Sequence, residues 1–446
     1  MVEHNVPFAV ADHFSPLLKE CFKDSPTAQN YKCARTKTSC IINEAVAPHF
    51  RKELVMKMRT NPFTLITDGS NDTGREKMNP LTVRVYDSYS SKVVHRFLDM
   101  CPTSGPSCGT AEVIYQKMDE ALQKSHTMEK LILKEHGSIY IHGCPCHIIH
   151  NTAKQAGLGF LEVCGFDPED LTVDVGYWFK GSTNRKGYLT DEKQPGCRRL
   201  LEAFSNPMTE VYLLFYQATL PVFSTFNLLL QREKSSIFLL HDEIRSFIRE
   251  KLVIGFTTRA TLNRLLDAGD ITPQQVQRFQ QAAVAFLVRA VEYAMKKLPM
   301  REPLIKHAMF LEGQQRVEGG VEDALYFVDR FPELLPYNGP DERDKLSEEF
   351  LDYQSMDIAM PEDPATFDIE SFWGNMASMK NKVTGMSRFG RLSRIAKLVL
   401  VLPHSDADAE RVFSSTGGAC EAKEPTIEAL RPEMYKAKAH TRLILD

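Results

Sequence analysis

The chain carries almost no net charge: 54 Lys and Arg stand against 58 Asp and Glu in 446 residues, a formal −4. That excludes a protein whose whole surface is given to nucleic acid and leaves such binding to a local patch. Tryptophan is nearly missing, with only Trp178 and Trp373 present. Cys21, Cys33 and Cys40 lack the Cys-x-x-Cys and paired-His spacing of a zinc finger, so no N-terminal zinc module is expected. No secretory leader opens the sequence, and its ten cysteines then point to reduced thiols in the nucleus or cytosol. No fixed-period repeat is found. What is plentiful is apolar side chain, 43% of residues, enough to fill more than one core.

One local patch stands out. From Met376 to Leu402 the chain carries Lys380, Lys382, Arg388, Arg391, Arg394 and Lys397 and no acid. Leu392, Ile395, Ala396 and Val399 recur at helical spacing, so the cations sit on a helix, either as its solvated face or as phosphate contacts. A second stretch, the 21 uncharged residues between Glu210 and Arg232, is long enough to cross a bilayer. Gln217, Pro221 and Asn227 interrupt it, and it is expected to be a buried helix pair kinked at Pro221, with no membrane involved.

Residues 1–60 form an N-terminal helical segment. Alternating patterns then predict strands over FTLIT (63–67), LTVRVYD (81–87) and VVHRFLDM (93–100), joined by short polar links as an antiparallel meander. A helix is predicted over Ala111–Lys124 and a fourth strand over SIYIHG (138–143), followed by the helix-like CHIIHNTAKQAG. Between about 160 and 370 the period is helical throughout, as in PQQVQRFQQAAVAFLVRAVEYAMKKL.

The segment PHSDADAERVFSS closely resembles the C-terminal signature of the hAT superfamily of DNA transposases, with Glu410, Arg411, Val412, Phe413 and Ser414 as its Glu-Arg-Val-Phe-Ser element. FTLITDGSND is similar to the family's first catalytic strand, with Asp68 as first acid, and GCPCHIIHN to its Cys-x-x-His element, with Cys144 and His147. The resemblance spans roughly residues 40 to 415. It implies an α/β, predominantly helical chain: an RNase H-like core lacking one strand and interrupted by a long all-α insertion. The segments would be 1–60, a first part of the core over 61–160, the insertion over 161–370, and a return to the core with a dimerisation region over 371–446. It also implies Asp68 and Glu410 as Mg²⁺ ligands, with His147 beside the scissile nucleotide, for in-line attack on a phosphodiester. Cys144, Cys146, His147 and His150 could instead be a zinc cluster, although four ligands within seven residues close a tetrahedron poorly on one helix.

Two parts of the family pattern are missing. The interval QKSHTMEKLILKEHGSIYIHG holds no strand ending in the second catalytic Asp, and neither tryptophan follows an arginine. Asp87, Asp99, Asp119 and Glu120 are the substitutes at hand, none well placed. The tail after Ser414 is broken by Pro425 and Pro432. The reading is therefore a transposase-derived nuclear protein without a complete catalytic set. It would act through association with itself or a hAT-family partner, and through DNA contact by Arg388, Arg391, Arg394 and Lys397 with Cys144 and His147. An active Mg²⁺-dependent transposase or nuclease, or a helical interaction scaffold, are the alternatives.

Overall fold

The computed structural model describes residues 7–67, 70–71, 77–103, 110–124, 144–180, 195–232, 234–250, 254–313, 315–358, 367–405 and 407. The predicted strand over 138–143, Asp68, and the segment from 408 onward, which holds Glu410 and the Glu-Arg-Val-Phe-Ser element, lie outside them. The chain is predominantly helical, with one small antiparallel sheet. It gathers into two compact units, residues 1–142, 232–238 and 303–446 in one, residues 143–231 and 239–302 in the other.

The first unit is built on the expected meander. Strands β1 (Phe63–Thr67) and β3 (Lys92–Thr103) both pair antiparallel with β2 (Lys77–Asp87), and the two-residue segment Ser70–Asn71 continues along the β1 edge, so the sheet is three strands wide. Alternation along β2 sorts its side chains. Leu81, Val83 and Val85 point to one face and are fully buried with Leu54 and Met58 of helix α1 (Ala47–Thr60) and Ala121 and Leu122 of helix α2 (Ala111–Lys124). Each such aliphatic side chain contributes roughly 1.5–3 kcal/mol by leaving water. Two ion pairs close the rim of this face. Lys57 of α1 reaches Asp87 at 3.1 Å, and Arg51 reaches Asp99 at 3.5 Å.

The second unit is all helical among its described residues. Helix α3 (Pro145–Cys164) packs on α4 (Pro207–Leu230) and α5 (Pro273–Lys297) around Phe160. That ring stacks on Phe215 at 5.2 Å and meets Tyr212 and Tyr216 edge-on at 5.5 and 5.3 Å, the geometry aromatic quadrupoles favour. Gly159 is what lets α3 approach α5, since a Cβ there would lie 2.9 Å from the Ala285 carbonyl oxygen. Arg278 donates to the Val163 carbonyl at 2.8 Å and so satisfies the C-terminal end of α3.

Helix α4 corrects one expectation. It is one continuous helix of 24 residues with Pro221 inside it, not a helix pair. Pro221 lies on the exposed side, where water can take the carbonyl it leaves unbonded. By length and composition α4 could cross a membrane. One of its faces, running from Met208 through Tyr212, Phe215, Thr219 and Phe223 to Leu230, is buried in the aromatic core.

The other face of the sheet carries Arg84, whose side chain has no exposed surface. It is covered by the chain returning from far along the sequence. Helices α6 (Pro340–Ser355), α7 (Ile369–Ser378) and α8 (Gly390–Val401) belong to this unit, and α8 lies against β1 and β2. Arg84 Nη2 donates to the Leu400 carbonyl at 2.9 Å, Ser235 Oγ donates to the same oxygen at 2.8 Å, and Thr64 Oγ1 donates to the Val401 carbonyl at 2.8 Å. A cation at the C-terminal end of a helix also meets the negative pole of its dipole. At the β3 edge the buried Glu370 carboxylate accepts from the Val93 amide at 2.9 Å and the Ser235 amide at 3.1 Å. Asp368 caps α7 by accepting from Ser371 N at 3.2 Å and pairs with Lys92.

Arg84→Ala is expected to cost about 3 kcal/mol or more, since it removes a buried charged donor. The readout is the urea midpoint of unfolding, and a loss below about 1 kcal/mol would mean that α8 is held otherwise. A second expectation concerns acid. Burial alone would raise the carboxyl of Asp87, but hydrogen bonds from Ser90 and Lys57 outweigh it and hold it below the usual range, and Asp368 is lowered likewise by Lys92 and Ser371. Their contribution to stability is therefore full above the unfolded value near about 4 and is lost as pH falls through the folded values. The double variant Asp87→Asn/Asp368→Asn should show a flatter decline of urea midpoint below about pH 4 than the parent, and parallel declines would refute the assignment.

Candidate functional site

The residues expected to act on DNA fall into three places. Asp68 and Glu410 lie outside the described residues, as do the predicted strand over 138–143 and the segment from 408 onward. What is described is how the chain approaches each: β1 ends at Thr67, and α8 ends at Val401, hydrogen-bonded to Thr64 across 337 residues of sequence. The stretch from Leu402 to Ser405 continues buried, with His404 Nε2 3.0 Å from the Arg232 carbonyl oxygen.

Cys144 and His147 belong to the second unit, at the start of α3. Cys144 is the N-cap residue and half-buried, Cys146 is buried, and His147 and His150 are exposed one turn apart. Cys144 and His147, three residues apart, share a helix face. No group of three or more His, Cys, Asp or Glu side chains that could hold a metal ion is found among the described residues.

The four cations lie on and just before α8, and the structure engages each of them within the chain. Arg388 Nε donates to Asp352 at 3.0 Å, its guanidinium 5.0 Å from the Phe389 ring centre. Arg391 grips Glu342 with two nitrogens, at 2.7 and 3.0 Å, and Glu349 with a third at 3.1 Å. Glu349 also accepts from the amides of Arg391 and Leu392, both at 2.9 Å. These are first-turn N–H groups that no intrahelical carbonyl can satisfy, so Glu349 caps α8 from α6. The Arg391 guanidinium is held further up its range, first by Glu342 and then by Glu349. The ammonium of Lys397 lies 4.9 Å from the Tyr86 ring centre, and burial lowers its pKa. Tyr86 in turn is pushed up to about 12, chiefly by burial. Its hydroxyl donates to the Glu370 carbonyl at 2.9 Å. Arg394 is exposed and donates to the hydroxyl of Tyr337.

The patch that reads as acid-free in sequence is thus faced by Glu342, Glu349 and Asp352, one side of α6. Those acids carried no signal of their own in PDERDKLSEEFLDYQS, where they read as an ordinary charged helix. Their spacings of seven and three residues place them on one face, but only the fold shows which cations they meet. Asp87 and Asp99, weighed as substitute ligands, are engaged by Lys57 and Arg51, and Glu120 pairs with Lys117 at 2.8 Å. Trp178 lies in the helix Pro168–Lys180, its side chain outside the described set. Trp373 is buried and donates to the Leu311 carbonyl at 3.4 Å.

No protein-family model matches this chain, and no curated protein matches it.

The Arg391 contacts differ in depth, which fixes an order. Glu349→Ala is expected to lower stability by about 2–4 kcal/mol, because it strips a buried partner and two amide bonds, while Glu342→Ala at the surface should cost clearly less. Chemical denaturation of the two variants checks this, and equal losses would sink the ranking.

Proposed function

We propose that this chain derives from a hAT-type DNA transposase and works in the nucleus by association, with DNA contact but without a complete catalytic set. The observation that carries the reading is the return of residues 367–405 to the sheet, through Thr64 to Val401 and Arg84 to Leu400. An RNase H-like nuclease needs its first acid at the end of a meander strand and its last on a segment folded back beside that strand. The described parts of this chain agree with that plan up to the residue before Asp68 and to within five residues of Glu410. A meander followed by helix α2, with helical sequence inserted before the return, agrees with it as well.

Asp68 and Glu410 would be the groups that hold Mg²⁺, the metal supplying an activated water or 3′-hydroxyl. The second Asp of the family pattern is missing from the sequence. A two-metal site deprived of one carboxylate loses on the order of 10² to 10³ in rate from electrostatics alone. A second reading, a helical interaction scaffold, is favoured by one observation: the second unit has its own aromatic core around Phe160.

A nicking assay on labelled duplex DNA with Mg²⁺ or Mn²⁺ separates inactive from active forms. The expected result is no strand cleavage above background for the parent or for Glu410→Ala. Cleavage by the parent that disappears in Glu410→Ala would overturn the inactive reading and restore the enzyme.

A further inference from the structure

We infer that the turn Met379–Phe389, rather than the face of helix α8, is the element of this chain that contacts duplex DNA, with Lys380 and Lys382 on phosphates and Val383 and Met386 against the groove wall. The inference deepens the DNA-contact part of the proposed function and rests on it.

The four cations on and before α8 are already engaged, Arg388 by Asp352, Arg391 by Glu342 and Glu349, Arg394 by the Tyr337 hydroxyl and Lys397 by the Tyr86 ring. Spending Arg391 on DNA would leave Glu349, a mostly buried carboxylate, without its guanidinium. Lys380 and Lys382 are different. Both are exposed, and neither forms an ion pair among the described residues. The acids of α6 that face this run are paired instead with Arg388 and Arg391. The two lysines are the cations that a phosphate chain can take without breaking an internal contact.

The turn is built rather than loose. Arg388 N donates to the Met379 carbonyl and Asn381 N to the Met386 carbonyl, both at 2.8 Å, with Lys380 and Ser387 paired across. Gly385, at φ +68°, takes the left-handed conformation that an L side chain resists, and its amide donates to the Asn381 carbonyl at 2.9 Å. The Asn381 side-chain oxygen accepts from the amides of Val383 at 2.8 Å and Thr384 at 3.2 Å. Ordering cost has therefore been met before any ligand arrives.

At the tip this rigid turn exposes apolar side chains, Val383 at 94% and Met386 at 72%. Cations flanking a small apolar wedge suit a groove lined by phosphates, where side chains such as methionine pack on sugars or between base steps. A bilayer is the poorer occupant. Two aliphatic side chains and two lysines offer neither the aromatic anchors nor the apolar area that stable interfacial binding takes.

Fluorescence anisotropy of the full chain with a labelled duplex across a salt series tests this, beside sedimentation with vesicles containing phosphatidylserine. Lys380→Ala/Lys382→Ala should weaken DNA binding and lower the slope of log affinity against log salt by about 2 units. Val383→Ser/Met386→Ala should weaken it severalfold with the slope unchanged. Both variants lie on exposed positions and should keep the parent's thermal midpoint, so a loss of binding is not a loss of fold. If the parent binds DNA with a slope that the lysine variant leaves unchanged, the turn is overturned and DNA contact elsewhere stands. If the parent binds no duplex at low salt, DNA contact itself falls. Loss of vesicle binding without loss of DNA binding would give the turn to lipid and overturn the inference.

Discussion

In the first unit a guanidinium with no exposed surface sits on the middle strand of a three-strand sheet and meets a carbonyl 316 residues later, at the end of α8. A buried arginine is costly unless every direction it faces offers an acceptor, so Arg84 tolerates few alternative neighbours. The helix end supplies one acceptor, since the last carbonyls of a helix have no partner of their own and carry the negative pole of its dipole, and His95 lies 3.4 Å from Nη1. Leu400 also receives the Ser235 hydroxyl, and Val401 receives Thr64. Three separate segments of the chain thus depend on one helix terminus. A meander of this width, with one face packed on α1 and α2, would otherwise leave Arg84 and Tyr86 against water and β1 with little to hold it.

The electrostatics near α8 follow from the same closure. Once α8 lies on the sheet, its N-terminal amides need an acceptor, and Glu349 of α6 supplies it while drawing in Arg391. Glu342 and Asp352 complete the acidic side of α6. Cations recruited in this way stabilise the unit and are less free to bind anything else. Charge available for a partner is displaced to the hydrogen-bonded turn that precedes the helix, where the fold leaves two lysines beside two exposed apolar side chains.

Much of the secondary structure was legible. Alternation over LTVRVYD and VVHRFLDM gave both strands, because successive side chains point to opposite faces and here one face of the middle strand is aliphatic while the other carries Thr82, Arg84 and Tyr86. Helical periodicity gave Ala111–Lys124 and Pro273–Lys297. Pro221 misled, because a proline's cost depends on which face it occupies, and sequence does not say that this one faces solvent. Of the candidate site, the cations were legible as residue types, but not their engagement: Glu349 and Arg391 are 42 residues apart, and no local pattern links them. The acids at 68 and 410 were singled out by resemblance to a family signature, which concerns chemistry, not contacts.

The sequence by itself determined the residue types: the meander, the helical stretches and an acid-free run of cations. It could do so because pleat, helical period and charge are local. Tertiary structure alone decided which cations are consumed and which remain. That choice turns on burial and on distances between groups tens to hundreds of residues apart, as when Arg84 finds the end of α8, and only chain closure sets those distances.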